Sequence, residues 1–575
     1  MFPKYFQQEL SNLRQLGAEF SEAHPTLAPM LNGSQADPDV ERLLEGTAFL
    51  TAMLRQKMDD EFPEVIHDLL QIVAPHYLQP LPAATILQFH PKQTVKNSFL
   101  LPAGTSCSSV PVEGTPCPFR TCYDTEIHPL KVLNAVWTQP PGRPPAIKLS
   151  FELTGLPLAQ WQPQTLRLYL ADDFARAADL YLLLRKQLKA IHLIPGAEGQ
   201  AARLEPACLR PVGFGALERL VPYPSQSFPG FGVLQDYFML PQKFLFVEIT
   251  GWDRWQNRGT GSRFEVHFEL TDKRMAPAQI GRESFVLHAV PAVNLFAHDG
   301  DPLYLDHRKT RYLVRPSGAR ADHYQIFSID EVKGFVQGTC EERTYRPFEA
   351  FRSKAAKDPL YHVERVPSVS RDAVDTYLAA GYAPGRELPP PETLSLKMTC
   401  TNGALPNRLK PGDISVHGKG CPEYVTFANL MTPSPGVPPR LGKKSLWNLL
   451  SHLSANFQSL ERPENLRSLL DLYVLQESGD AATRANRLRI EGIMDIRAAA
   501  EDRLIFGTPT RGRQITLQVA DDHFEGPGDI FLFGCMLDHF FGHYASINAF
   551  THLFLKNQQG GTLAWLPRTG NRTLL

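Results

Sequence analysis

Four prolines, Pro75, Pro80, Pro82 and Pro91, divide this chain into two kinds of pattern. Proline fixes φ and lacks an amide hydrogen, so a helix arriving at residue 74 cannot run on through that cluster. Ahead of it, apolar residues recur every three or four positions; behind it they alternate. The chain is therefore expected to be α+β and multidomain, with an N-terminal helical arm, a β-sandwich-rich middle and a C-terminal α/β domain.

The helical side is well punctuated. Residues 2–20 carry Phe6, Leu10, Leu13, Leu16 and Phe20 on one side, with Lys4, Glu9, Arg14 and Glu19 elsewhere. Asp37 stands where an N-cap belongs, Pro38 suits the first helical position, and Asp39 and Glu41 favour the positive helix start. Val40, Leu43, Leu44, Thr47, Leu50, Leu54 and Met58 then predict a helix from Asp39 to Phe62, about 35 Å long at roughly 1.5 Å per residue. Pro63 and Glu64 open a second helix with Val65, Ile66, Leu69, Leu70 and Val73 on its apolar side. Isolated helices are marginal in water, so these stripes need cover, from each other or from a partner chain. Phe6, Leu10, Leu13, Phe20, Leu43, Leu50 and Leu54 are the candidate partner-binding side chains.

Alternation at 84–90, 131–137, 146–153 and 165–170 predicts half-buried strands, with turns at 101–105 and 139–145. A helix near 172–188, with Leu180, Leu183 and Leu184 inward, interrupts them. A loop at 211–230 precedes strands at 245–249 and 264–270, completing a sandwich pattern. A second β-rich region begins at Phe285, with strands at 311–314, 324–329 and 392–398 and a long polar insertion at 349–391. Residues 432–440, TPSPGVPPR, read as a linker. Beyond it come helices from Ser445 and Pro463, strands at 487–496 and 514–519, a long aromatic helix from Asp529 to Lys556, and a strand at 562–566. At roughly 150 residues per domain, three to four domains are expected. They divide as 1–82 (arm), 83–284 (β-rich with a helical insertion), 285–431 (second β-rich), 432–443 (linker) and 444–575 (α/β).

Composition excludes several functions. With 59 basic and 60 acidic residues there is no global field toward nucleic acid or anionic lipid. The start, MFPKYFQQEL, lacks the charged head and apolar block of a signal peptide, so a cytoplasmic location is expected. The candidate membrane run 530–537 is far short of the ~20 residues a span needs. Eight scattered cysteines fit free thiols better than a disulfide framework, and Cys117 and Cys122 have no matching second pair for zinc.

Chemistry-bearing motifs are few. His539 and His543 have the i, i+4 spacing that holds zinc on a helix, with His523 and His552 as candidate further ligands, but Phe540 replaces the glutamate of a hydrolase and the many aromatics nearby point to a packed helix with structural histidines. Gly526-Pro-Gly-Asp529 lacks the Gly-Lys-Ser/Thr ending of a phosphate loop and reads as a turn with Asp529 as N-cap. No Gly-x-Ser-x-Gly elbow occurs, Gly213 and Gly215 have no third glycine at dinucleotide spacing, and adjacent acids such as Asp59-Asp60 do not face each other. No catalytic residue, cofactor or metal is expected, and interaction is the leading function. The alternatives are a zinc-dependent hydrolase centred on His539 and His543, and a multi-domain β-sandwich binding module.

An ordered set of runs resembles the TssF family of type VI secretion baseplate subunits, also called VasA or ImpG. The runs are Tyr5 to Arg14, Asp37 to Glu45, Asp60 to Pro63, Pro75 to Pro80, Leu234 to Phe238, Pro241 to Phe246 and Pro291 to Phe296. Leu446-Trp447, Leu450 to Leu453, Asn456 to Leu460 and Phe531 to Leu553 complete it; Ala455 and Gln458 are smaller or more polar than the pattern implies. The resemblance spans essentially the whole chain. It implies a cytoplasmic structural protein at the membrane-proximal baseplate, without catalytic residues. It further implies two copies joined to one TssG, with TssE and TssK completing a wedge around the VgrG hub beneath a contractile sheath.

Overall fold

The helix that enters the proline cluster is longer than its sequence punctuation implies. α1 covers Phe2–Ala23 and α2 runs unbroken over Pro38–Val73, 36 residues or about 54 Å. Pro63 therefore does not start a new helix. Its missing amide deletes one bond, to the carbonyl of residue 59, and the turns on either side carry the helix on.

The computed structural model describes residues 2–23, 38–73, 75–139, 141–142, 144–223, 227–271, 279–318, 320, 322–336, 342–348, 359–368, 373–382, 389–439, 441, 461–474, 481–505 and 507–570, with backbone alone at 2–4, 21–23, 56–68 and 72–73. The helix expected from Ser445 lies outside the described residues. The chain divides into two compact units, one of residues 1–73 with 440–450 and one of 74–439 with 451–575.

In the first unit α1 and α2 pack antiparallel. Arg14 reaches Glu41 at 2.7 Å and Arg55 reaches Glu9, so α2 retreats as α1 advances.

The second unit is mixed α+β, as the sequence pattern implies. Its six-stranded sheet orders Ile414–His417, Ser106–Ser109, Pro118–Thr121, Ala289–Val293, Ala84–Pro91 and Val425–Asn429. The sheet's two ends meet where Gly412 N donates to Asn429 O at 3.0 Å and Ile414 N to Asn429 Oδ1 at 2.9 Å. A five-stranded sheet orders Ala202–Leu204, Leu188–Pro195, Arg263–Leu270, Ala146–Leu153 and Leu130–Thr138. A four-stranded sheet orders Leu209–Val212, Phe246–Ile249, Leu166–Leu170 and Phe285–Leu287. Helix α3, Phe174–Lys186, buries Leu180, Leu183 and Leu184 as its spacing predicts. α4, Pro229–Met239, follows the 211–230 segment, which also contains the end of a strand. The stretch 432–439 is not a free tether: Leu81 and Val437 exchange backbone hydrogen bonds at 2.8 Å, and Ser434 N donates to Ala84 O at 2.7 Å.

A separate core, including Leu305, Val332, Leu378, Leu394, Leu396 and Met398, underlies an eight-stranded sheet built around Glu392–Thr401 and Gln325–Val336. The polar segment 349–391 contributes to it. Leu360–Pro367 and Val374–Gly381 form an antiparallel hairpin whose inner residues Tyr361 and Leu378 are buried.

At the C-terminal end α5 is Pro463–Asp471, α6 is Ala481–Glu491 and α7 is Pro527–Gly542. Residues 487–491 are thus helical, and the strand begins at Ile493. The aromatic helix is also shorter than expected. It ends at Gly542, Asn548 turns the chain at φ 65°, and Ala549–Asn557 becomes a strand parallel to Thr508–Val519. Buried on nearly every side, α7 packs on α3 and α4, with Phe531 5.9 Å from Tyr181 and Phe533 6.0 Å from Tyr237.

Candidate functional site

Small side chains bring the two N-terminal helices together. Ala48 and Ala52 are fully buried on the side of α2 that carries Glu41 and Arg55, the side facing α1. On α1, Phe6, Leu10 and Leu13 are half-buried, and Phe20 is exposed. At 100° per residue, Leu43, Leu50 and Leu54 fall within about 40° of one another, and the two alanines lie roughly 120–180° away. The three leucines are 70%, 63% and 62% exposed. Met53, beside them, is half-exposed. The arm thus has an inner face held by alanines and two ion pairs, and an outer face of leucines turned to water. An exposed apolar stripe of this kind makes the outer face of α2 the candidate interaction surface of the arm.

The histidine motif is occupied by its own surroundings. The His539 ring stacks on Phe214 at 4.3 Å, and Arg568 Nη2 lies 3.1 Å from His539 Nε2. An arginine cannot accept a proton, so it donates and Nε2 is the acceptor of a neutral imidazole. Burial, then Arg568, holds His539 well below the usual imidazole range; burial holds His543 at about 4. A guanidinium thus stands where a metal ion would have to approach. His523 binds Asp522 at 2.9 Å and His552 binds Glu501 at 3.0 Å. No group of three metal-capable side chains assembles among the described residues.

The Gly526-Pro-Gly-Asp529 turn is likewise structural, and its cap differs from the expected one. Gly526 is the N-cap, and Asp529 lies inside the first turn, fully buried, accepting from Arg489 Nε at 2.8 and 2.9 Å and from Glu525 N at 3.1 Å. The helix start is filled by protein: Gly528 N donates to Asp179 Oδ1 of α3 at 2.7 Å. This close approach is why residue 528 is glycine, since a Cβ there would lie 2.2 Å from the backbone carbon of Ala178.

Further exposed leucines, Leu217, Leu504 and Leu566, stand on the second unit. Single leucines in turn and hairpin segments carry no periodicity, so no sequence pattern marks them.

A multi-sheet fold whose helical arm shows an apolar stripe to solvent has the features of an assembly protein. The chain belongs to the TssF family of the type VI secretion system, structural baseplate components, whose family model matches residues 1–572. It is 31% identical over 626 aligned positions to type VI secretion system component TssF1 of Pseudomonas aeruginosa, covering 99% of this chain and 98% of that one. It is similar to a chain of a TssK-TssF-TssG baseplate subcomplex solved by cryo-electron microscopy, with a TM-score of 0.78 and 30% identity over 93% of this chain and 99% of that chain. A chain of a second type VI baseplate complex matches with a TM-score of 0.63 and 26% identity over the full length of both.

Proposed function

We propose that this chain is a structural subunit of a type VI secretion baseplate wedge, located in the cytoplasm on the membrane-proximal side of the apparatus. Two copies assemble with one TssG, contact TssE and TssK, and together with the VgrG hub support growth of the contractile sheath. The exposed leucine stripe of α2 carries this reading: Leu43, Leu50 and Leu54 have the i, i+7, i+11 spacing of a helix that lies in a partner's groove. Phe6, Leu10 and Leu13 contribute from the half-buried side of α1, and Phe20 from its end. Likeness to a chain from a TssK-TssF-TssG subcomplex supports the choice of partners. Co-expression with TssG from the same organism, followed by native mass measurement, tests it. A complex of two copies of this chain with one TssG is expected; a chain that purifies as a monomer and ignores TssG overturns it.

A further inference from the structure

Between α3, α7 and the chain that follows the strand Thr562–Ala564 lies a cavity of about 250 Å³. Its walls are aromatic rings. Phe214 stacks on His539 at 4.3 Å, and Phe531 stacks on Trp565 at 5.5 Å with 14° between the ring planes. The walls are also held in place. Trp565 Nε1 donates to Cys535 Sγ at 3.3 Å, and a Cβ on Gly534 would lie 2.3 Å from that indole, so the ring presses directly on α7. Lys186, at the end of α3, donates to Ala564 O, with its Nζ 5.4 Å from the Phe531 ring centre and 5.3 Å from that of Trp565.

One polar group of the lining is incomplete. Asp538 is 2% exposed, and its Oδ2 accepts from Arg568 Nε at 3.0 Å and from Nη2 at 2.6 Å. Its Oδ1 has no hydrogen-bond partner among the described residues. A buried acceptor without a donor is costly, so a donor brought by a ligand gains a bond there. The volume limits what that ligand is. Small-molecule sites span about 300–1,000 Å³, so 250 Å³ suits one side chain rather than a whole cofactor. Ring walls favour an aromatic guest, and the open acceptor selects one with an N–H or O–H, which is tryptophan or tyrosine. Among the described residues that line the cavity, Arg185, Lys186 and Arg568 stand against one acid, Asp538, so the guest's neighbours in its own chain should be acidic. Leu566 also lines the cavity and is 87% exposed, an apolar surface that an anchored ring would cover.

We propose that this cavity is a docking site for a tryptophan or tyrosine in an acidic segment of another protein, with the indole N–H or phenol O–H donating to Asp538 Oδ1. The site lies on the second unit and uses none of the α2 stripe, so it stands apart from the assembly surface of the arm.

Fluorescence anisotropy tests it, with a fluorescein-labelled peptide Glu-Asp-Trp-Asp-Glu titrated with the full-length chain. Saturable binding is expected. Alanine in place of the peptide's tryptophan should weaken it about thirtyfold, the scale of a hot-spot anchor. Phenylalanine there keeps a ring but removes the donor, and lysines in place of the acids reverse the charge; each should weaken binding about tenfold. Leu566→Asp changes an exposed position on the cavity's lining and should weaken binding about tenfold while the circular dichroism of the chain stays unchanged. The site is overturned if the tryptophan peptide does not saturate, if the alanine peptide binds equally, or if Leu566→Asp binds as wild type. Equal binding of the phenylalanine peptide overturns the role given to Asp538, and equal binding of the lysine peptide overturns the acidic partner.

Discussion

The outer face of α2 offers the sharpest test of how this chain assembles. Leu43, Leu50 and Leu54 are 70%, 63% and 62% exposed, so about two thirds of each side chain remains to be covered. Complete burial of a leucine contributes about 1.5–3 kcal/mol. Covering the remainder is therefore worth about 1–2 kcal/mol per residue, or about 3–6 kcal/mol for the stripe. The triple variant Leu43→Asp, Leu50→Asp, Leu54→Asp removes that gain and places three charges in the interface. A loss of 3 kcal/mol already weakens binding by about a hundredfold. In the free chain the same positions face water, and the cost is mainly the lower helix propensity of aspartate, about 0.5–0.7 kcal/mol per site. Titration calorimetry with purified TssG, alongside circular dichroism of the unbound variant, separates the two effects. Affinity falling at least a hundredfold with the helical signal retained is expected. Binding within threefold of wild type would refute the assignment of this face to a partner.

Three further predictions concern the second unit and the arm's own helix. Gly528→Ala forces α7 away from α3 and strains the 2.7 Å bond to Asp179, which should cost about 3–5 kcal/mol. Gly46→Ala, with nothing within 4 Å of the added carbon, should instead gain about 0.5–1 kcal/mol; urea midpoints followed by tryptophan fluorescence check both, and an unchanged midpoint for Gly528→Ala would rule out the close approach. His128 and His288 are buried and held at about 4 and about 3 by loss of hydration, against 6.5 when unfolded. The unfolded chain therefore binds protons that the folded chain refuses, and stability should fall as pH drops below about 6.5 toward about 4. Each histidine contributes a slope of up to roughly 1.4 kcal/mol per pH unit; a melting temperature flat from pH 7 to 5 would contradict this.

Local signals in the sequence were read correctly where a few residues settle the outcome. The alternation Ala146-Ile-Lys-Leu-Ser-Phe-Glu-Leu153 became a strand with every second side chain buried. Pro463 and Glu464 opened a helix with Leu466, Leu469 and Leu470 inside. The same signals misled where a longer context outweighed them. Pro63 was absorbed within α2, because one lost hydrogen bond is small against the bonds of a 36-residue helix. Residues 549–557 are apolar enough to suit either period, and they became a strand because Thr508–Val519 offered them a parallel partner from Arg511 to Val519. The hairpin inside 349–391 escaped notice because its polar residues face water and only a few positions, such as Tyr361 and Leu378, are buried. The candidate stripe was legible as a stripe, since spacing along a helix fixes which residues share a face.

By itself, then, the sequence determined the α+β class, the apolar faces of the helices and the period of most strands, all properties set by neighbours a few residues away. Which surface meets which was decided only in three dimensions. Ala84–Pro91 lies between Ala289–Val293 and Val425–Asn429, and His539 is closed off by Phe214 and Arg568. The physical reason is common to all of these. A local pattern states that a face must be covered, whereas the partner that covers it is chosen by packing among segments hundreds of residues apart.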